Sequence, residues 1–175
     1  MYLNPENEEL EPDRRRRIWY VLHVKPRTEK KAFEFLKRLN VFRYLPLLKK
    51  VSKVQRRKVV RYLPLFPGYV FTRLNADERF EMVKTHLVVQ TIEVQNARRM
   101  IHQLRQIAHA SRFPEALREV EHYVPGDRVR IKAGPFMGIE GCVQRKGSQT
   151  SLVLELEIIG RAVEVTVSPV DLEKV

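Results

Sequence analysis

The first sixty residues show strand-like and then helix-like spacing of apolar side chains. A segment dense in β-branched and aromatic residues, 18–24, predicts a central strand. Thr28 is placed to cap a helix that reaches about residue 40, since the apolar positions behind it form one helical stripe: Ala32, Phe33, Phe35, Leu36 and Leu39. Residues 41–60 then predict two strands joined by an exposed, basic hairpin tip, because the middle of that segment has no apolar periodicity.

The next segment, residues 62–71, combines aromatic residues with two prolines. Each proline removes a backbone donor, so the first part of the segment cannot be a central strand and enters the next strand through a kink. Gly68 begins an alternating run typical of a buried strand. We expect Phe66 and Tyr69 to be exposed at the kink. The alternative is a core strand whose aromatic rings face inward.

Alternating helices and strands complete the first domain. Asn75 or Asp77 begins a helix to about Lys84, with Phe80 and Val83 expected to face inward. The remaining elements are a strand over 87–94 and a helix over 97–112 that Asn96 caps. The order β-α-β-β-β-α-β-α predicts an α+β sandwich, in which helices pack on one mainly antiparallel sheet.

The last third of the chain has short strands with glycines at the corners. Five such strands predict a small β-barrel over residues 123–175. Residues 113–122 are polar, contain a proline and predict a linker. The predicted organisation is therefore a disordered acidic and basic tail (1–17), an α+β domain (18–112), a linker (113–122) and a barrel (123–175).

Positive charge is concentrated in one part of the chain. The net charge is +12, but residues 14–61 contain eighteen Lys or Arg against two acids, while residues 122–175 are neutral. Such a field attracts a polyanion, and nucleic acid is the usual one. The alternative is a solvated surface that only maintains solubility.

Several functional classes are disfavoured by composition. The single Cys142 excludes an internal disulfide or a multi-cysteine metal site, and the five histidines lack ligand spacing, so no metal or cofactor is predicted. No apolar run approaches the ~20 residues of a membrane span, and no signal-peptide core is present. No nucleophile–base pair, carboxylate dyad or phosphate-binding glycine loop indicates an enzyme. We expect a cytoplasmic, monomeric binding protein.

Motifs in both predicted domains resemble the NusG family of transcription elongation factors. The resemblance runs from about residue 18 to residue 175. In the first domain it rests on Trp19-Tyr20-Val21, the short helix after it, and Leu65-Phe66-Pro67-Gly68-Tyr69-Val70. In the second it rests on a KOW motif, formed by residues 126–131, 134–136 and 141–143, and on the closing segments 159–162 and 170–175.

The resemblance implies a bridging role on RNA polymerase. In this family the first domain binds the clamp helices of the largest polymerase subunit and suppresses pausing or termination by disfavouring clamp opening. The positions that match that contact surface are His23, Phe66, Pro67, Gly68, Tyr69 and Phe71. Aromatic anchors give a large contact area at little rotamer cost, which agrees with such a surface.

The resemblance also gives the basic residues a role. Lys25, Arg27 and Lys31 match the part of the family fold that faces the non-template DNA strand. A second candidate surface is the hairpin tip from Lys49 to Lys58, which would contact upstream duplex or nascent RNA. Its candidate contact residues are Lys53, Arg56, Arg57 and Lys58.

The KOW barrel of the family recruits a ribosomal protein or the terminator Rho. The matching positions here are Tyr123, Phe136, Ile158, Ile159 and Arg161. Ile159 replaces an expected phenylalanine, and Leu87-Val88 replaces an expected Pro-Gly, which indicates a specialised antitermination paralogue. Some such paralogues fold this region as a helical hairpin, but the alternation over residues 164–167 and the six glycines after residue 125 favour a barrel. A different class stays open: an RNA- or ribosome-binding KOW protein that does not act on polymerase.

Overall fold

The computed structural model describes residues 16–54, 57–113, 117–120, 126–146 and 149–175. Within them the chain forms two compact units. The first contains the residues up to Pro46 and Pro64–Ala97, and the second contains Leu47–Leu63 and Arg98–Val175. Both are built on antiparallel sheets, in agreement with the predicted mixture of helices and antiparallel strands. None of the described helices is both long and apolar enough to cross a membrane.

A four-stranded antiparallel sheet organises the first unit. Its strands are β1 (Ile18–Val24), β2 (Arg43–Tyr44), β5 (Tyr69–Leu74) and β6 (Val88–Glu93), in the order β2-β5-β1-β6. The alternating residues Tyr20, Leu22 and Val24 of β1 face one side of the sheet and join a buried apolar cluster. The predicted central strand over residues 18–24 is confirmed at both ends.

Helices α1 (Glu29–Arg38) and α2 (Ala76–Lys84) contribute to that same cluster. Ala32 and Leu36 of α1 are fully buried in it, as the helical stripe predicts. Thr28 precedes α1 at the predicted cap position, but its hydroxyl donates to Lys25 O at 2.7 Å instead of capping the helix.

Helix α2 is rotated from its predicted orientation. Asn75 caps it with a capping box, in which Asn75 Oδ1 accepts from Glu78 N and Glu78 Oε2 accepts from Asn75 N. The prediction that Phe80 and Val83 face inward is wrong, because they are 61% and 44% exposed and Met82 is the buried residue. The polar face is fixed by Arg17, whose guanidinium donates to the Glu78 carboxylate.

A separate two-stranded sheet corresponds to the predicted hairpin. It consists of β3 (Leu47–Val54) and β4 (Arg57–Pro64). At its base Leu65 N donates to Pro46 O at 2.8 Å. The two tip residues lie outside the described part of the chain.

The second unit contains helix α3 (Ala97–Ala110) and a six-stranded antiparallel sheet. The sheet order is β12-β8-β9-β10-β11-β7. The strands are β7 (Leu117–Val120), β8 (Arg128–Ile131), β9 (Glu140–Lys146), β10 (Gln149–Leu156), β11 (Arg161–Thr166) and β12 (Leu172–Lys174). Strand β7 lies inside the predicted linker and pairs with β11, so the sheet begins earlier in the chain than residue 123.

Candidate functional site

His23 and Tyr69 form a stacked pair on one face of the four-stranded sheet. The two residues are directly opposite each other on β1 and β5. Their ring centroids are 5.1 Å apart and the ring planes differ by 19°. Both side chains are half-buried, and the neighbouring Pro67 is exposed. This end of the two inner strands therefore presents one imidazole, one phenol and one pyrrolidine ring to solvent.

Gly68 gives the backbone the shape that brings these rings together. Its φ of +87° lies in the region that side chains disfavour. Its carbonyl accepts from Val24 N at 2.8 Å, which ties the kink to the end of β1. A methyl group at Gly68 would lie 3.4 Å from Cδ2 of His23. The glycine thus permits both the turn and the close packing of the imidazole.

A buried carboxylate holds the same kink from the other side. Glu29, in the first turn of α1, is 6% exposed, and its Oε1 accepts from Gly68 N at 2.8 Å. A carboxylate is favoured at a helix N-terminus by the helix dipole. Sequence reasoning missed this residue, because no local pattern links positions 29 and 68.

Two of the predicted contact residues are interior. Phe66 is 1% exposed and Phe71 is fully buried. The expectation that Phe66 is exposed at the kink is therefore wrong. Phe66 O accepts from Tyr69 N at 3.2 Å in a tight turn. This turn leaves Pro67 outside and the Phe66 ring inside. Within this group, the solvent-accessible rim consists of His23, Pro67 and Tyr69.

The same sheet face continues away from the pair. Because side chains alternate along a strand, Trp19 and Arg73 lie on the face that carries His23 and Tyr69. The Arg73 guanidinium carbon lies 5.9 Å from the Trp19 ring centroid. Tyr44 packs against Phe71 with centroids 6.4 Å apart, and burial raises the pKa of its phenol. The period-two pattern could have identified Trp19 and Arg73 from sequence.

Lys25, Arg27 and Lys31 are all exposed between the end of β1 and the first turns of α1. Arg27 has φ +64°, a left-handed conformation uncommon for a residue with a side chain. The loop that holds it is closed by Thr28 N, which donates to Lys25 O at 3.1 Å. Lys25 N in turn donates to Leu87 O at 2.9 Å. The three cations therefore project from a short, hydrogen-bonded loop and the helix that follows it.

The predicted hairpin cations are only partly described. Arg57 and Lys58 are exposed at the start of β4. Lys53 lies on β3 without a described side chain, and Arg56 lies outside the described residues. Lys49 and Lys50, at the start of the predicted tip, are exposed, and Arg61 is a further exposed cation that lies beyond the predicted segment.

The predicted partner surface of the second unit has two described parts. Phe136, in the β8–β9 loop, is 8% exposed and its ring makes an edge contact with Phe113 at 5.0 Å. Ile158 and Ile159 form a half-buried 3₁₀ turn between β10 and β11, next to Arg161. Strands β8 and β10 run in the same direction, so both connections lie at one end of the sheet. Tyr123 lies outside the described residues.

Helix α3 contacts both of these connections. An Nη of Arg99 pairs with Glu157 at 2.5 Å, and Glu157 N donates to Gln103 Oε1 at 3.3 Å. Near the other end of the helix, His109 Nε2 lies 3.1 Å from Pro135 O. The helix thus fastens the β10–β11 turn and the β8–β9 loop to one rigid element.

Comparison with known proteins agrees with this architecture. The family model described as "Transcription termination factor nusG" matches residues 17–121. The chain therefore belongs to the NusG family, whose members are transcription factors. The curated transcription termination/antitermination protein NusG of Borreliella burgdorferi is 25% identical over 182 residues, covering 91% of this chain and 99% of that protein. A structure titled "Domain interaction in Thermotoga maritima NusG" is similar in fold, with TM-score 0.50, 18% identity and 93% and 99% coverage of the two chains.

Proposed function

We propose that this protein is a cytoplasmic transcription elongation and antitermination factor that binds the clamp helices of RNA polymerase. The observation that carries the proposal is the stacked His23–Tyr69 pair beside the exposed Pro67. Rigid aromatic side chains bind a protein surface at a low entropic cost, and these two are held in place before any partner arrives. Phe66, Gly68 and Phe71 are buried close to these residues in the chain and would act by holding the exposed rings in place.

The proposed activity is a shift between polymerase conformations and involves no covalent chemistry. A factor that binds the closed clamp more tightly than the open clamp multiplies the closed-to-open ratio, at saturation, by the ratio of its two affinities. Pausing and termination are then suppressed. The exposed cations Lys25, Arg27 and Lys31 lie near the same end of β1 as His23, which suits contact with a displaced DNA strand.

The second sheet is proposed to be a KOW barrel that recruits a ribosomal protein or Rho. Support comes from the meeting of the β8–β9 and β10–β11 connections at one end of the sheet. Phe136, Ile158, Ile159 and Arg161, with Tyr123, would form this contact. The residues Ile159 and Leu87-Val88 support a specialised paralogue that acts at particular operons.

Binding of the full chain to a clamp-helix fragment of the cognate polymerase tests the proposal. Tyr69→Ala removes a central aromatic anchor and should weaken binding by roughly tenfold or more. Phe80→Ala is the matched control, because it removes an exposed aromatic ring from helix α2. The same pair of variants should differ in the duration of pausing by the cognate polymerase. Equal affinity of Tyr69→Ala and wild type would contradict the proposal. Retained RNA binding by a protein without affinity for polymerase would instead favour the RNA- or ribosome-binding class.

A further inference from the structure

The two-stranded hairpin β3–β4 is strongly basic on both strands. Residues 47–64 contain seven Lys or Arg and no acid. Five of these cations are described with their side chains, and all five are exposed: Lys49, Lys50, Arg57, Lys58 and Arg61. Charge complementarity therefore points to an anionic partner for this hairpin.

The hairpin also exposes large apolar side chains between its cations. Their exposed fractions are 38% for Leu47, 47% for Val51, 44% for Val60, 53% for Tyr62 and 44% for Leu63. A surface that only maintains solubility needs the charges but not these residues. A partner that covers the apolar residues and neutralises the cations accounts for both observations.

The hydrogen bond at the base of the hairpin sets the pairing of its residues. Leu65 N donates to Pro46 O, which places these two residues opposite each other. Both strands have eight residues, so an unbroken ladder counted from this pair places Val51 opposite Val60 and Lys50 opposite Arg61. Like charges directly across a sheet repel each other. An anion near Lys50 and Arg61 would remove that repulsion.

Alternation along the strands sorts the side chains onto two faces. One face carries a central apolar pair, Val51 and Val60, with Tyr62 beside it and Lys49 and Lys58 at its margins. The other face carries Lys50, Arg57 and Arg61. A partner surface that has an uncharged strip between two rows of negative charge matches this arrangement.

We propose that the β3–β4 hairpin binds B-form duplex DNA by lying in the major groove. That groove is about 12 Å wide and accepts a two-stranded β-ribbon. Val51 and Val60 then face the base edges, and cations from both faces reach the phosphate rows on either side. Eight residues per strand give a length of about 27 Å, most of one helical turn of DNA. Since phosphate contacts dominate, sequence preference is weak.

Other nucleic acids fit the hairpin less well. Single strands are bound by successive aromatic platforms beside one phosphate row, whereas the hairpin has one aromatic residue and cations on two faces. Double-stranded RNA has a deep, narrow major groove that does not admit a β-ribbon. This inference rests on the proposed transcription role and specifies the class of nucleic acid that the hairpin contacts.

The test is binding of the full-length protein to a labelled DNA duplex of about 20 base pairs, by fluorescence anisotropy over a range of salt concentrations. The same measurement is made on one strand of that duplex and on an RNA duplex of equal sequence. The DNA duplex should bind most tightly. The triple variant Lys50→Gln/Arg57→Gln/Arg61→Gln should bind it roughly a hundredfold more weakly, and its salt slope should fall by about three.

A matched control removes the same charge elsewhere. Arg98→Gln/Lys132→Gln/Arg145→Gln neutralises three exposed cations outside the hairpin and should retain the wild-type salt slope. Val51→Ser/Val60→Ser should weaken duplex binding without changing that slope. Equal behaviour of the two triple variants, or tighter binding of the single strand or RNA duplex, would overturn the inference. Because no polymerase is present, absent DNA binding with intact clamp-helix binding would reject this inference alone.

Discussion

The backbone N–H of Gly68 donates to Oε1 of Glu29 at 2.8 Å, inside the protein, although 39 positions separate the two residues. This bond fixes the kink that carries Pro67 and Tyr69 against the first turn of α1. Glu29→Ala leaves the buried N–H without its acceptor and should lower the free energy of unfolding by about 1–3 kcal/mol. Glu29→Gln keeps an acceptor oxygen and should lose less. Urea denaturation measures both, with the exposed Glu34→Ala as control.

The stability effect should be accompanied by weaker clamp-helix binding, because the Tyr69 ring loses its fixed position. A Glu29→Ala protein with wild-type stability would show that the hydrogen bond contributes little to the fold.

Alanine substitutions at two glycines with similar φ angles distinguish an effect of backbone strain from an effect on the candidate site. Gly68 has φ +87° and Gly134 has φ +82°. Alanine at either position should cost about 1–2 kcal/mol of stability, because left-handed backbone disfavours a Cβ atom. Only at position 68 does the new methyl group meet a site residue, His23, whereas at position 134 nothing lies within 4 Å. Gly68→Ala should therefore also weaken clamp-helix binding.

The comparison is made at a temperature where both variants are folded, by thermal melts followed by binding titrations. If Gly134→Ala weakened clamp-helix binding as much as Gly68→Ala, the effect of position 68 would be one of general stability.

Arg27 combines an exposed charge with an unfavourable backbone conformation, φ +64°. Arg27→Gly should be more stable than Arg27→Ala by about 1 kcal/mol, since only alanine retains the left-handed strain. Both variants should lose the same salt-dependent share of DNA binding, because both lack the guanidinium. Thermal melts and binding to single-stranded DNA measure the two quantities separately.

His86, with φ +56°, provides the control pair. His86→Gly should likewise be more stable than His86→Ala, and neither should change DNA binding. Tighter DNA binding by Arg27→Ala than by Arg27→Gly would show that the side-chain charge is not what the loop contributes.

Burial raises the pKa of Tyr44, which predicts a specific loss of stability at high pH. Because the folded pKa is raised, the stabilisation is fully present below the unfolded value of about 10 and is lost as pH rises through the folded value. Tyr44→Phe has no proton to lose. Urea midpoints of wild type and Tyr44→Phe should differ by a constant amount from pH 6 to pH 8. Above about pH 10 the wild type should lose stability relative to the variant. Parallel profiles over the whole range would contradict a raised pKa.

Elements with a strong periodic signal could be predicted from sequence. The first strand, the hairpin and the α1 stripe follow directly from the spacing of apolar residues, and Asn75 was one of two candidate caps. The orientation of helix α2 could not be predicted from sequence, because its apolar residues do not form one stripe. Its orientation depends instead on the Arg17–Glu78 ion pair and on Arg79, whose guanidinium carbon lies 5.8 Å from the Tyr20 ring centroid. Such long-range polar contacts leave no local pattern.

The candidate site is likewise only partly predictable from sequence. Period-two alternation predicts that residues 69 and 71 share a face, and β1 and β5 place His23 opposite Tyr69. Alternation does not determine which aromatic residues are covered, so the exposure of Phe66 was predicted incorrectly. The Glu29–Gly68 bond depends on where α1 packs against the β5 kink, which only the assembled fold determines.

The short strand β7 determines the maximum distance that the chain can span between the end of α3 and the six-stranded sheet. While β7 is paired with β11, only residues 114–116 connect Phe113 to Leu117 at the start of β7, a span of at most about 14 Å. Strand β7 is at the edge of the sheet and has four residues. If β7 separates from β11 and the contacts of α3 with Glu157 and Pro135 are released, fourteen residues connect Phe113 to Arg128, and the maximum span increases to about 54 Å. The four β7–β11 residue pairs, together with the contacts that α3 makes with Glu157 and Pro135, thus control a tether whose maximum length changes almost fourfold. The volume within which the remaining sheet can search for a partner changes with it.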